Sequence, residues 1–163
     1  MTADVPTLEI AFALNGERAL ATVEPRELLI DVLREKFGLS GAKRSCDIGV
    51  CGACTVLVDG LPASSCSMLA VDVDGREVRT IEGLGTPQAL DPVQQAFVQH
   101  GALQCGFCTP GMVLAVKGLL ALNPSPNEQE IRDFLRGNLC RCTGYVKIIE
   151  AVVDLAPRKH LDS

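Results

Sequence analysis

The amino-acid sequence predicts an α+β chain, with a small mixed sheet first and four helices after it. Three observations predict this. Short apolar segments separated by Asn-Gly and Asp-Gly turns fill the first half. Longer apolar runs at helical spacing fill the second. Between them, Glu82-Gly83-Leu84-Gly85-Thr86-Pro87 breaks both patterns and reads as a linker. The expected organisation is therefore one domain over residues 1–81, a joining segment over 82–87, and a helical domain over 88–163.

Each element follows from its residues. Leu8 to Leu14 carries its large apolar side chains on even positions, as a half-buried strand does. Asn15-Gly16 is a hairpin signal, and Arg18 to Val23 is the expected return strand. Glu24-Pro25-Arg26 opens a helix that places Leu28, Leu29, Val32, Leu33 and Phe37 on one face, and Gly38 ends it. Gly41 to Cys54 is glycine-rich and polar, hence a loop. Thr55 to Val58 is a strand, Asp59-Gly60 a second hairpin turn, and Asp74-Gly75 a turn into a last strand over Glu77 to Ile81. Helices are expected over Asp91 to His100, Pro110 to Leu122, Asn127 to Arg136 and Thr143 to Leu155. Ser125-Pro126-Asn127-Glu128 resembles a capping box at the third of these. Gly101 to Leu122 loosely echoes Gly137 to Leu155, which suggests an internal pseudo-twofold.

Composition narrows the function. A 47% apolar content and 21% charged residues support a packed core. The formal charge of −5 argues against a nucleic-acid partner. No apolar run approaches membrane-spanning length, because Lys117 and Gly118 interrupt the best candidate, Met112 to Leu122. The first residues lack the basic and apolar regions of an export signal, so the expected location is the cytoplasm. No glycine-rich dinucleotide fingerprint, P-loop or nucleophile–base arrangement is evident.

Eight cysteines in a reducing compartment call for a metal rather than disulfides. They fall into two groups of four: Cys46, Cys51, Cys54, Cys66 and then Cys105, Cys108, Cys140, Cys142. The first group has the C-x4-C-x2-C spacing, with a distant fourth cysteine, of a plant-type [2Fe–2S] site. Gly49 and Gly52 would let backbone approach the sulfurs closely, and amides between Ile48 and Cys54 could donate to them. The second group pairs C-x2-C with C-x-C across 31 residues. One intervening residue strains chelation of a single tetrahedral ion, whereas a two-iron cluster spreads its ligands over two metals. Each pair precedes an apolar helix. Two helix N-termini facing each other would bring four thiolates together in a field that suits an anion. A structural zinc site also uses four cysteines, although zinc favours paired C-x2-C knuckles. Two oxidised clusters would add about −2 each, so nearby basic residues are expected.

The segment Cys46-Asp47-Ile48-Gly49-Val50-Cys51-Gly52-Ala53-Cys54-Thr55-Val56 resembles the ferredoxin-type half of the iron–sulfur subunit of molybdenum hydroxylases, the xanthine dehydrogenase and carbon monoxide dehydrogenase family. Gln104-Cys105-Gly106-Phe107-Cys108-Thr109-Pro110-Gly111 and Gly137-Asn138-Leu139-Cys140-Arg141-Cys142-Thr143-Gly144-Tyr145 are similar to that family's second motif. The resemblance covers about Leu8 to Val153 without a departure at any ligand position. It implies a β-grasp, ferredoxin-like domain followed by a four-helix domain with pseudo-twofold symmetry, each holding a [2Fe–2S] cluster. It also implies a large subunit with a molybdopterin cofactor and a medium subunit with FAD, assembled as a dimer of heterotrimers. Electrons would pass from molybdenum through both clusters to FAD, or in reverse in reductases. By the same resemblance, Gln104 hydrogen-bonds the pterin and Cys142, a metal ligand, lies against the pterin edge. No catalytic residue is expected on this chain.

The other readings of the residues are a free-standing two-cluster ferredoxin, a zinc-stabilised interaction module and a redox sensor. Lys43, Arg44 and Arg141 could offset cluster charge or simply face solvent. His100 and His160 are lone histidines beside two complete quartets. Met112, Leu114 and Leu119 read as core or interface, and Arg158-Lys159-His160 as a frayed end.

Overall fold

The computed structural model describes residues 5–155. The final basic run and His160 lie outside the described residues.

The two hairpins form as their turn residues dictate. Strand β1 (Leu8–Leu14) pairs antiparallel with β2 (Glu17–Val23), and β3 (Thr55–Val58) with β4 (Leu61–Ser64). Asn15 and Gly16, and likewise Asp59 and Gly60, all take positive φ. That matches the right-handed twist of the flanking strands, which tight two-residue turns need. The last strand, β5 (Glu77–Arg79), runs parallel to β1 and antiparallel to β3. The sheet order is β2-β1-β5-β3-β4. From Ile10 onward the even-numbered residues of β1 face inward, so Ile10, Phe12 and Leu14 are buried, while Leu8 at the strand's start is exposed.

The helix expected from Glu24 is shorter and starts later. Residues Leu29–Asp31 form one α-turn, α1, which widens into a π-turn over Val32–Lys36. Leu28 instead bridges to Leu69, which holds the entering chain extended. Of the expected face, Leu29, Val32 and Leu33 are fully enclosed and Leu28 and Phe37 partly, with Phe37 set edge-on to Phe12; Ile30, outside that face, is enclosed as well. The expected strand to Ile81 stops at Arg79, because Ile81–Gly83 turns into a 3-10 helix. Ile81 and Leu84 pack against the helical core, so this segment is anchored rather than loose.

Four helices follow: α2 (Pro92–Gln99), α3 (Thr109–Leu122), α4 (Glu128–Phe134) and α5 (Val146–Leu155). Asp91 and Gln94 close a capping box at α2. At α4 the box is Asn127 with Glu130, not Ser125 with Glu128. Pro126 precedes the cap, and Asn127 Oδ1 accepts from Glu130 N at 2.9 Å. The last helix begins at Val146 rather than Thr143, because Gly144 and Tyr145 take positive φ. Helix α3 is apolar nearly all round, since it fills the helical core on one side and lies on β3 and β4 on the other. Met112, Leu114 and Leu119 are all buried there. A Cβ on Gly118 would sit 2.4 Å from the Pro62 ring, so glycine sets how closely α3 approaches the sheet. Among the described residues, no helix is long and apolar enough to cross a membrane.

Candidate metal centres

The loop of residues 41–54 wraps back on itself at three left-handed positions, Asp47, Gly49 and Gly52. This reversal aims amides at one sulfur: Val50 N and Cys51 N each donate to Cys46 Sγ at 3.4 Å. The backbone amides of Ile48, Cys51 and Val50 pull the Cys46 thiol down to about 6. Cys54 and Cys66 lie beneath the loop and are buried. Burial, and the neighbouring Cys54 thiol, push Cys66 up to about 11. Arg44 pairs with Asp31 and Asp47 rather than with a sulfur. Lys43 donates to Ser40 O at 2.7 Å.

The second quartet assembles from two segments. Cys105 and Cys108 flank Gly106, and Cys108 is the N-cap of α3. Cys140 and Cys142 lie on the turn before α5 rather than at its first residue, so only one of the two pairs sits at a helix start. Cys142 Sγ and Cys105 Sγ stand 3.6 Å apart. A tetrahedral metal with thiolate bonds of about 2.3 Å holds two ligand sulfurs about 3.8 Å apart. Cys108 and Cys140 are close enough to alter each other's ionisation, as are Cys46 with Cys51 and Cys54 with Cys66. Each quartet is therefore drawn together in its own place, since Cys66 also feels Cys46, Cys108 feels Cys105 and Cys142 feels Cys140. Among the described residues no group of three or more His, Cys, Asp or Glu side chains is placed to hold one metal ion.

Electrostatics differ across the second site. Burial, then the Cys140 neighbour, pushes Cys108 up to about 12. Burial also works against ionisation of Cys140, yet hydrogen bonds from the Thr143 hydroxyl and amide outweigh it and hold that thiol below its ordinary value. Cys142 is exposed and raised by Cys105 beside it. Gln104 is exposed, and its Nε2 donates to Cys142 O at 3.1 Å. It thus ties the two cysteine segments together at the rim of the site. Arg141 is exposed. His100 pairs with Asp154 at 2.9 Å, away from both quartets.

Three residues next to the sulfurs escaped the sequence reading. Asn138 is buried between the two halves of the chain, Tyr145 hydroxyl accepts from Cys140 N at 2.9 Å, and Thr143 reaches Cys140 Sγ. Thr143 carried a signal in its spacing, three residues beyond Cys140, which is one tight turn. Asn138 carried none, because its partners lie up to 86 positions away.

Comparison with known proteins agrees with this chemistry. Residues 12–105 match the 2Fe-2S iron-sulfur cluster binding domain family, and residues 80–153 match the [2Fe-2S] binding domain family. The small subunit of nicotine 6-hydroxylase from Paenarthrobacter nicotinovorans is 50% identical over 94% of either chain. The small FeS subunit of nicotinate dehydrogenase from Eubacterium barkeri is 48% identical over 89% of this chain and 92% of its own. A chain in the crystal structure of quinoline 2-oxidoreductase from Pseudomonas putida 86 superposes with a TM-score of 0.88 at 48% identity, covering 92% of this chain and 93% of that one. Aldehyde oxidoreductase from Desulfovibrio gigas gives a TM-score of 0.89 at 43% identity, with 91% of this chain matching 17% of that longer one. By sequence and fold, the chain belongs to the iron–sulfur subunits of the molybdenum hydroxylases, the xanthine dehydrogenase and carbon monoxide dehydrogenase family.

Proposed function

We propose that this chain is the internal electron relay of a multi-subunit molybdenum hydroxylase. In this reading Cys46, Cys51, Cys54 and Cys66 hold one [2Fe–2S] cluster, and Cys105, Cys108, Cys140 and Cys142 hold the other. The observation that carries it is a backbone hydrogen bond: Leu139 N donates to Cys51 O at 2.8 Å. Cys51 belongs to the first quartet, and Leu139 precedes Cys140 of the second. One hydrogen bond and one residue of backbone therefore separate a ligand of each site. Neither a zinc module nor two unrelated structural metals would need that junction.

When bound, such clusters accept and pass one electron at a time. The chain's own residues supply the rest. Eight thiolates fix the irons. Amides at Cys46 and the donors at Cys140 stabilise negative charge on sulfur. Exposed Cys105, Cys142 and Gln104 form the face offered to a large molybdopterin-binding subunit, with Gln104 and Cys142 nearest the pterin. The exposed side chains of Ile48 and Val50 on the first loop suit cover by a medium FAD-binding subunit. The expected architecture is a β-grasp domain over residues 1–81 joined through 82–87 to a four-helix domain over 88–163. In that domain the segments from Gly101 and Gly137 are related by a pseudo-twofold. The assembly expected is a cytoplasmic dimer of heterotrimers. Substrate choice belongs to the molybdenum-binding partner.

The test is electron paramagnetic resonance on the dithionite-reduced protein, with metal analysis of the same sample. Two distinct rhombic signals and about four iron per chain are expected, as two-iron clusters require. Molybdenum and flavin should co-purify. A colourless protein containing zinc would overturn the reading. Replacing Gln104 with Ala should leave both signals in place and slow electron entry from molybdenum; unchanged turnover would remove its pterin role.

A further inference from the structure

We infer that Thr143 sets the reduction potential of the second cluster by donating its hydroxyl proton to Cys140 Sγ. The inference rests on the relay reading above, in which Cys140 is a metal ligand. Thr143 Oγ1 lies 3.1 Å from Cys140 Sγ, and Thr143 N lies 3.4 Å from the same atom. The hydroxyl oxygen also accepts from Tyr145 N at 3.3 Å. With its lone pair engaged there, its proton points to the sulfur. A thiolate on iron carries no proton, so the hydroxyl must be the donor. Among the described residues, no other side-chain O–H or N–H reaches a cysteine sulfur.

The turn is shaped for this contact. Gly144 and Tyr145 both take positive φ, which curls the chain so that Thr143 folds back over Cys140 before α5 begins. Tyr145 hydroxyl locks the curl by accepting from Cys140 N at 2.9 Å and donating to Asn138 O at 3.1 Å. Charge-assisted hydrogen bonds to sulfur favour the more negative, reduced state. Thr143 is thus a positioning residue that acts on the iron through Cys140. It makes the second site easier to reduce than its sulfurs alone would allow. At the first site the donors to Cys46 Sγ among the described residues are the backbone amides of Val50 and Cys51, so the two potentials are adjustable separately.

The experiment is an EPR-monitored redox titration of the protein purified with its partner subunits, comparing the wild type with Thr143→Val and Thr143→Ser. The second cluster's signal is identified as the one lost in a Cys105→Ser control. Thr143→Val should lower the equilibrium constant for reduction of the second cluster about tenfold, which is about 59 mV for one electron. The first cluster should not move, and Thr143→Ser should keep the wild-type potential. Proton hyperfine spectra recorded before and after exchange into D2O should lose one exchangeable proton at the second cluster in Thr143→Val. An unmoved potential, an equal shift in Thr143→Ser, or retention of that proton would overturn the inference. If Thr143→Val fails to assemble, Thr143→Ala deletes the same hydroxyl and is read by the same criteria. Absence of both cluster signals from the unaltered protein would instead sink the relay reading.

Discussion

The side-chain amide of Asn138 donates to the carbonyl oxygen of Gly52, 86 residues earlier, at 3.1 Å. The same nitrogen lies 3.1 Å from Thr55 Oγ1 and 3.3 Å from Gly111 O. One buried amide thus joins the first cysteine loop, strand β3 and helix α3, one residue away from the Leu139–Cys51 bond. Replacing Asn138 with Ala should cost about 1–3 kcal/mol, because buried acceptors lose their donor. It should also weaken magnetic coupling between the two reduced clusters by loosening their spacing. Thermal denaturation and EPR line splitting measure the two effects, and unchanged splitting would show that the Leu139–Cys51 bond suffices alone.

Glycine permits the same seam. A Cβ on Gly111 would lie 2.2 Å from Gly52 O, backbone against backbone. Gly111→Ala should therefore force the halves apart and destabilise by roughly 1–3 kcal/mol, as overpacking does. A Cβ on Gly137 would meet nothing within 4 Å, so Gly137→Ala should stay within about 0.5 kcal/mol of wild type. Equal effects from the two variants would argue against a seam set by close approach.

The cysteine quartets are separable in position. Cys140→Ser should abolish one EPR signal and about half the bound iron, leaving the ferredoxin-type signal largely intact. Iron analysis of the same sample checks the count. Loss of both signals together would mean that the two sites assemble only as a unit.

Acid sensitivity is expected at the sheet. The amide of Glu77, and then the Arg76 guanidinium, hold the Asp59 carboxyl below the usual carboxylate range. The contacts are 2.9 Å from Glu77 N and 2.7 Å from Arg76 Nε, and they tie the β3–β4 turn to β5. A depressed carboxyl stabilises the fold above its unfolded value, about 3.9, and the contribution is lost as pH falls through the lower folded value. Wild type should melt above Asp59→Asn at neutral pH, and the gap should close on acidification. A gap independent of pH would mean that the charge is irrelevant there.

Much of the chain was legible in its residues alone. Asn15-Gly16 and Asp59-Gly60 specify tight hairpins because those residues tolerate positive φ. The inward face of β1 shows as simple alternation. Local turn chemistry misled in two places. Ser125 stood in for the cap that Asn127 provides, since both offer a side-chain oxygen and only the path of Pro126 decides between them. Thr143 looked like a helix start, yet it bends back to a sulfur because Gly144 and Tyr145 reverse the chain.

By itself the sequence determined the grouping of eight cysteines, the two-iron spacing of each group and the order of strands before helices. Those properties depend on residue identity and on separations of a few positions. Tertiary structure alone decided which sulfurs pair, such as Cys105 with Cys142, and how the two sites meet through Leu139, Asn138 and Gly52. Those contacts join residues far apart in the chain. They form only once α3 lies on β3, at a distance that Gly111 and Gly118 permit and any larger side chain would increase.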